Sequence, residues 1–312
     1  MRGFAYSGAF AVLDSMGILK DIDRVGGTSA VAIEATLLAV GYTPDEITAS
    51  AYKAPLQHFN DAGFLYLGTL KRFREQFGLF KGDKISSWIG ELIAAKTGNG
   101  NITFGELHRE RVSKGYKDLY ITGADLTYQC LRIFSWENYP GMRVKDAVRI
   151  SVSIPLYFRP VLMDDTGRVY SKSDPDKILH VMTDGGVLSN YPLFMFDSAR
   201  YMPAGYDTTQ CRLENPETLG LLMEVSEQLD YNRYHKGNYP IDILTMHDYF
   251  KALFHTVIDK ANPEMNGTYL LRRTIAIDDL GLSPKIKKLP KKTIEGLVES
   301  GKEGARRFFR LN

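Results

Sequence analysis

The sequence predicts an α/β fold whose central sheet is mostly parallel and covered by helices on both faces. Segments of strand character alternate with segments of helical character along the chain, which is the order typical of parallel sheets. The chain has 312 residues, 44% of them hydrophobic, which is enough to bury one large core. No proline- or serine-rich linker divides it. We therefore expect a single domain over residues 1–312, with a core to about residue 225 and a helical part over about 226–312.

Local patterns predict the individual elements. The clearest is the apolar, alanine-rich run 30–40, which is typical of a buried helix and is closed by Gly41, a residue that favours helix ends. The predicted helices are 5–16, 29–40, a mostly helical stretch 44–112, 144–151, 245–260 and 291–310. The predicted strands are 22–25, 118–124, 129–135, 178–183 and 218–224.

Ser29 lies where a strand is expected to turn sharply into a helix. The strand 22–25 is followed by Gly26 and Gly27, which permit a tight turn, and the helix begins directly after Ser29. A serine in this position presents its hydroxyl at the amino terminus of a helix, whose dipole favours developing negative charge. The pattern is typical of a nucleophile elbow, although an N-cap serine is the commoner meaning of such a position.

Asp184 is predicted to follow a strand in the same way. His180–Thr183 is typical of a strand, and Gly185 and Gly186 let the backbone turn away from the carboxylate. If the sheet is parallel, Ser29 and Asp184 lie at the same edge, beyond the carboxyl ends of their strands. A serine hydroxyl must lose its proton to a neighbouring base in order to attack a carbonyl. The two segments together therefore predict a Ser–Asp pair capable of acyl transfer, although Asp-Gly-Gly alone is an ordinary turn signal.

With these two segments the sequence resembles the patatin-like phospholipase family, and the resemblance covers most of the chain. Members pair a serine in a G-x-S-x-G elbow with an aspartate in a D-G-G or D-G-A turn. The segments that carry the resemblance, in the order of the family, are Arg2–Leu13, Gly27-Thr28-Ser29-Ala30, Ile121–Leu126, Ala147–Pro155 and Asp184–Pro192.

The resemblance implies a three-layer α/β/α sandwich and a lipid acyl hydrolase that needs no cofactor or metal. It implies that Ser29 is the nucleophile, that Asp184 is the general base, and that the substrate is a phospholipid or another lipid ester. It also implies an acyl-serine intermediate. Hydrolysis is the expected reaction, and transfer of the acyl group to an alcohol is an alternative.

Two departures from the family pattern concern the oxyanion hole and the elbow. The oxyanion loop of the family begins with consecutive glycines before Arg/Lys-Gly, whereas only Met1 precedes Arg2-Gly3 here. We expect a partial oxyanion hole from Arg2, Gly3 and Ala30, and we expect the reading frame upstream to encode the missing glycines. Val31 replaces the second glycine of the elbow. The alternative function is a catalytically silent protein of this fold that binds lipid or a protein partner.

Composition excludes several other classes of protein. A net charge of +2 argues against a nucleic-acid binder, and Cys130 and Cys211 lack the spacing of a disulfide framework or a metal site. No run of eighteen apolar residues predicts a transmembrane segment, and the first residues lack the order of a signal peptide. We expect a cytoplasmic protein, with peripheral contact to a membrane surface as an open alternative.

The rival catalytic design is a Ser-His-Asp triad, and no histidine has the spacing of one. Neither a zinc motif nor a phosphate-binding loop is present. The histidines to be weighed are His58, His108, His180, His235, His247 and His255.

Two further segments are typical of contact with lipid. The stretch Phe59–Phe80 is rich in aromatic residues and leucine and suits either a cover over an acyl site or a helix packed on the sheet. The basic run Lys285–Lys292 suits either anionic headgroups or simple solvation.

Overall fold

In a computed structural model, the chain forms two compact units whose segments alternate along the sequence. The structure describes residues 3–55, 59, 74–210, 213–224, 231, 240, 242–245, 249, 252, 256, 270–282 and 289–311. Of the described residues, the first unit comprises those from 17 to 190, and the second comprises residues 3–16 together with those from 191 onward. The prediction of one domain with a helical part from about residue 226 stays a prediction.

The first unit is built on a six-stranded sheet. Its helices are α2 (Ala30–Ala39), α3 (Pro44–Lys53), α4 (Asp83–Thr97), α5 (Phe104–Lys114) and α6 (Val144–Ser151). Its sheet strands are β1 (Arg24–Gly27), β3 (Asp118–Asp125), β4 (Cys130–Phe134), β6 (Val161–Met163), β7 (Val169–Tyr170) and β8 (His180–Asp184), and a separate parallel pair is formed by β2 (Gly78–Phe80) and β5 (Leu156–Phe158).

Strand β3 is the centre of this sheet. All eight of its residues are buried, as expected for a strand covered on both faces, and helices α5 and α6 pack against it. The predicted α/β class, with a central sheet between helices, is confirmed.

The prediction that the sheet is mostly parallel is wrong. Only the β1–β3 pair is parallel, whereas β3–β4, β3–β8, β6–β8 and β6–β7 are antiparallel. The reason lies in the connections. Four residues join β3 to β4, and five join β6 to β7. Parallel neighbours need a crossover of a dozen or more residues, so chains with such short links pair as antiparallel strands.

Strands β1 and β8 share one edge of β3 and meet there end to end. On β3, Ile121 pairs with Gly27 of β1 and also with a residue of β4. Gly123 pairs with Asp184 of β8 and also with a residue of β4. Because β4 occupies one edge of β3 at both levels, β1 and β8 must occupy the other. They run in opposite directions, so their carboxyl ends face each other at the level of residue 122. The expectation that both strands end at one edge of a parallel sheet is therefore corrected.

The second unit contains two helices that pack against each other and a two-stranded parallel sheet. Helices α1 (Phe4–Ser15) and α7 (Lys291–Leu311) lie against each other, and β9 (Gly220–Glu224) pairs with β10 (Thr274–Asp278). A Cβ on Gly8 would lie 1.9 Å from the Val298 carbonyl oxygen. A glycine is therefore required at this crossing.

Most predicted elements are found within one or two residues of their predicted bounds. The first strand begins at Arg24 and the helical stretch 44–112 is interrupted by β2. Strands β5, β6, β7 and β10 were not predicted. The predicted helix 245–260 lies largely outside the described residues, as do Cys211, most of Phe59–Phe80 and residues 285–288 of the basic run.

We expect Gly123→Ala to destabilise the first unit by about 1–3 kcal/mol, because overpacking a core forces its neighbours apart. The added Cβ would lie 2.7 Å from Cγ2 of Ile150 and 2.8 Å from Cε2 of Phe134. The free energy of unfolding in urea is the measurement. Gly141→Ala is the control, because its Cβ would meet nothing within 4 Å. Equal stability of the two variants would contradict this description of the core.

Candidate active site

Ser29 occupies a strained turn between β1 and α2. Its φ of 57° and ψ of −129° are unusual for a residue with a side chain. A Cβ on Gly27 would lie 2.6 Å from the Val31 carbonyl oxygen, so the strand and the helix cross closely only because residue 27 is a glycine. Thr28 is buried, and its hydroxyl is 2.7 Å from that of Thr122 on β3. The turn is thus anchored to the central strand.

Asp184 is the last residue of β8 and is held by the turn that follows it. Its Oδ1 accepts a 2.8 Å hydrogen bond from the Gly186 amide, at the start of a short 3₁₀ turn over Gly185–Val187. A Cβ on Gly185 would lie 2.3 Å from the Thr122 hydroxyl oxygen, so this position also requires a glycine. The Asp-Gly-Gly sequence therefore lets β8 end tightly against β3 while it fixes one carboxylate oxygen.

The structure brings Ser29 and Asp184 together, as the sequence predicts. The Ser29 hydroxyl donates a 2.6 Å hydrogen bond to Oδ2 of Asp184. The aspartate is only 5% exposed, and loss of solvation on burial raises its pKa to about 6, against the lowering effect of the bonds from Ser29 and Gly186. A carboxylate with this pKa is mostly ionised at neutral pH, yet it accepts a proton more readily than an exposed one.

Ser151, the last residue of α6, and Ser153, just after it, hold the backbones of Ser29 and Asp184. The Ser151 Oγ accepts a 2.9 Å hydrogen bond from the Ser29 amide. The Ser153 carbonyl accepts the Asp184 amide hydrogen at 3.0 Å and the Thr183 hydroxyl at 2.6 Å. Both serines are fully buried. This clamp, defined as residues 151–153, was missed by the sequence analysis as a functional feature, although the segment was recognised as part of the family resemblance.

The clamp is itself fixed by the buried side chain of Arg149. Its guanidinium donates to the Ser153 hydroxyl and to the carbonyls of Lys81 and Arg159. A Cβ on Gly82 would lie 2.5 Å from this guanidinium, and Gly82 has a φ of 74°, so glycine is required there for two reasons. Arg149 therefore ties the clamp to the residues that follow β2 and β5.

The proposed oxyanion donors are described only in part. Ala30 is exposed and is the first residue of α2, where backbone amides have no acceptor within their own helix. Gly3 precedes α1 and belongs to the second unit, and Arg2 lies outside the described residues. Their contribution to an oxyanion hole stays a prediction.

Both described histidines are engaged with carboxylates away from Ser29. His108 Nδ1 lies 2.7 Å from Asp118, and His180 lies 2.7 Å from Asp125 and 2.8 Å from Asp165. The other four histidines lie outside the described residues. Over the part of the chain that the structure describes, no group of three or more His, Cys, Asp or Glu residues is arranged to hold a metal ion.

The chain is similar in sequence to known proteins. A family model described as patatin-like phospholipase matches residues 1–197, which include both Ser29 and Asp184. The uncharacterised protein YqhO of Bacillus subtilis strain 168 is 31% identical over 283 residues, with 83% of this chain and 89% of YqhO covered. A probable lipid hydrolase, 463L of invertebrate iridescent virus 6, is 26% identical over 196 residues, with 62% and 60% covered.

A solved structure shares the fold. VipD from Legionella pneumophila matches with a TM-score of 0.53 at 16% identity, and the match covers 99% of this chain and 65% of VipD. The chain thus spans slightly less than two thirds of VipD, and the likeness concerns the fold alone.

We expect Ser151→Ala to slow the labelling of Ser29 by a fluorophosphonate probe roughly tenfold, because the Ser29 amide loses its acceptor and the strained backbone loses a hydrogen bond. The measurement is the labelling rate, alongside the thermal midpoint of unfolding. Ser87→Ala is the control, because Ser87 is exposed and its hydroxyl bonds only to the Asp83 carbonyl at 3.3 Å. A labelling rate unchanged in Ser151→Ala would show that the clamp does not position the serine.

Proposed function

The chain belongs to the patatin-like phospholipase family, and we propose on this basis that it is a lipid acyl hydrolase with a Ser29–Asp184 dyad. The observation that carries the proposal is the 2.6 Å hydrogen bond from the Ser29 hydroxyl to a buried carboxylate. The printed name of the viral relative, a probable lipid hydrolase, supports the same class of reaction.

In the first half of the proposed reaction, Ser29 is acylated. The Ser29 oxygen attacks the carbonyl carbon of the ester as Oδ2 of Asp184 takes the hydroxyl proton. When the tetrahedral intermediate collapses, the bond to the alcohol oxygen breaks and Asp184 returns the proton to that leaving group. The products of this half are an acyl-serine and a free alcohol, which is a lysophospholipid where the substrate is a phospholipid.

In the second half, water replaces the alcohol. Asp184 takes a proton from a water molecule as the water oxygen attacks the acyl carbon, and Ser29 recovers a proton when the fatty acid leaves. The negative charge that develops on the carbonyl oxygen is stabilised by the amino terminus of α2, with the Ala30 amide as a donor. We propose that Arg2 and Gly3 border the same oxyanion hole, as the family pattern implies.

The substrate proposed here is a phospholipid or a similar lipid ester. No described helix of the chain is long and apolar enough to cross a bilayer. A cytoplasmic location, with the substrate met at a membrane surface, stays a prediction.

The proposed reaction uses neither a cofactor nor a metal, because the carboxylate of Asp184 carries out the proton transfers of both halves.

The dyad is tested by two substitutions. Ser29→Ala removes the attacking oxygen, and Asp184→Asn keeps the size of the side chain but cannot accept a proton. We expect each to lower hydrolysis of a soluble short-chain ester at least roughly a thousandfold, and we expect Ser29→Ala to abolish fluorophosphonate labelling. The measurements are ester turnover and mass spectrometry of the labelled peptide.

Single alanine substitutions at the six histidines are the controls, and we expect each to keep most of the activity. A histidine variant as inactive as Asp184→Asn would replace the dyad with a triad. A wild-type protein that is neither labelled nor active on esters would favour the catalytically silent alternative.

The pH dependence follows from the pKa of Asp184, which burial raises to about 6. The base works only when ionised, so activity is lost as the pH falls through this value and is retained above it. We expect kcat/KM for a soluble ester to rise roughly tenfold from about pH 5 to about pH 7 and then to level off. Asp184→Asn is the control, and its residual rate should not show this rise. A profile that is flat for the wild type over this interval would contradict the assignment of Asp184.

A further inference from the structure

Three apolar side chains are exposed at or just before the amino ends of β2 and β5. Phe77 is 61% exposed, Leu156 is 60% exposed and Ile154 is 39% exposed. Phe77 directly precedes β2, and Leu156 is the first residue of β5, where it is the register partner of Gly78. The pairing of β2 with β5 places the backbones of these three residues close together, and we define the group Phe77, Ile154 and Leu156 as the apolar patch.

Two members of the apolar patch have a backbone conformation that is unfavourable for large side chains. Phe77 has a φ of 58° and Leu156 a φ of 66°, in the left-handed region that favours glycine and asparagine. A large apolar residue at such a position is strained and leaves its side chain in water. Neither burial among the described residues nor backbone preference accounts for these side chains, and exposed apolar side chains that cluster are typical of a surface that contacts a partner.

The apolar patch is joined to the dyad through the backbone. Ile154 directly follows Ser153, whose carbonyl bonds the Asp184 amide. Leu156 is five residues from Ser151, whose hydroxyl bonds the Ser29 amide, so its Cα is at most roughly 17 Å from that of Ser151. A surface that contacts the apolar patch is therefore near Ser29.

The charge around the apolar patch favours an anionic surface. Residues 74–84 and 154–159 contain four cationic side chains, Arg74, Lys81, Lys84 and Arg159, against two acidic ones, Glu75 and Asp83. Arg159 pairs with Asp83 at 3.3 Å, and Lys81 and Lys84 follow the carboxyl end of β2. Apolar side chains inserted among cationic ones are the usual composition of a segment that sits at the boundary of headgroups and acyl chains. Three side chains are also too few for a stable protein interface, which needs about 800 Å² from each partner.

We propose that the apolar patch docks the protein on an anionic lipid–water interface and so presents lipid to Ser29. The inference rests on the proposed function, because it supplies the route by which an insoluble ester reaches the dyad. Phe77, Ile154 and Leu156 enter the lipid, and the surrounding cations lie at the level of the headgroups.

The test uses the double variant Phe77→Asn/Leu156→Asn in a Ser29→Ala background, so that no lipid is hydrolysed during the measurement. Asparagine tolerates the left-handed backbone, so these changes remove apolar surface without adding strain. The probe is a set of large vesicles of phosphatidylcholine mixed with phosphatidylserine, and the measurement is the partition coefficient from co-sedimentation. We expect at least roughly tenfold weaker partition for the double variant.

Val112→Asn in the same background is the matched control, because Val112 lies on α5 and is 87% exposed. It should partition like the parent protein, and all proteins should share the same thermal midpoint. Vesicles of phosphatidylcholine alone should bind the parent less tightly. Equal partition of the double variant and the parent would overturn the proposal, as would a parent that binds no vesicles. A dimer of the parent that the double variant dissolves would overturn it in favour of a second copy of the chain.

The same double substitution in the active protein separates docking from chemistry. We expect hydrolysis of a soluble short-chain ester to be unchanged and hydrolysis of vesicle phospholipid to fall with the partition coefficient. An equal loss on both substrates would overturn the proposal, because it would assign these residues to the dyad itself. If the wild type hydrolyses no ester while vesicle binding still depends on the apolar patch, docking stands and the proposed hydrolase function fails.

Discussion

The site depends on one constraint of the sheet, which is that β1 and β8 share a single edge of β3 and end facing each other. Each strand stops beside Thr122, and neither has room to continue. Gly185 lets β8 end against Thr122, and Gly27 lets α2 cross close to the end of β1, because a Cβ on Gly185 would strike Thr122 and a Cβ on Gly27 would strike the Val31 carbonyl. Ser29 and Asp184 lie where the backbone turns away from the sheet after β1 and at the end of β8. Their 2.6 Å contact is thus a consequence of strand register rather than of a flexible loop.

This arrangement stores two unfavourable features in one place. Ser29 has a strained backbone, and Asp184 is an ionisable group removed from water, whose pKa is raised by its burial. Both are tolerated because the surroundings fix them more than once. The clamp bonds the amide of each partner, Thr122 anchors the turn before Ser29, and Gly186 bonds the free carboxylate oxygen. These bonds hold the hydroxyl and the carboxylate in the arrangement that the proposed reaction requires before any substrate arrives.

The sequence was informative about this site where the chemistry is local. Glycines beside Ser29 and Asp184 predict tight turns, and helix α2 follows from an apolar run that is closed by Gly41. The sheet was mispredicted because alternation of strands and helices was weighed more heavily than the four-residue link between β3 and β4, which only an antiparallel pair can accommodate. Ser151 was missed because its role is to accept a backbone amide from a residue 122 positions away, and a backbone partner leaves no pattern in the sequence.

The clamp also connects a surface feature to the proposed dyad. Arg149 bonds the Ser153 hydroxyl and the carbonyls of Lys81 and Arg159, which are the residues directly after β2 and β5. One buried guanidinium therefore fixes the carboxyl ends of the two strands whose amino ends carry Phe77 and Leu156. Loss of a partner would leave a buried charge with unmade hydrogen bonds, so the strands and the clamp are held in one arrangement. This connection fixes the position of Ser29 relative to the apolar patch, and so relative to the lipid surface that we propose the patch contacts.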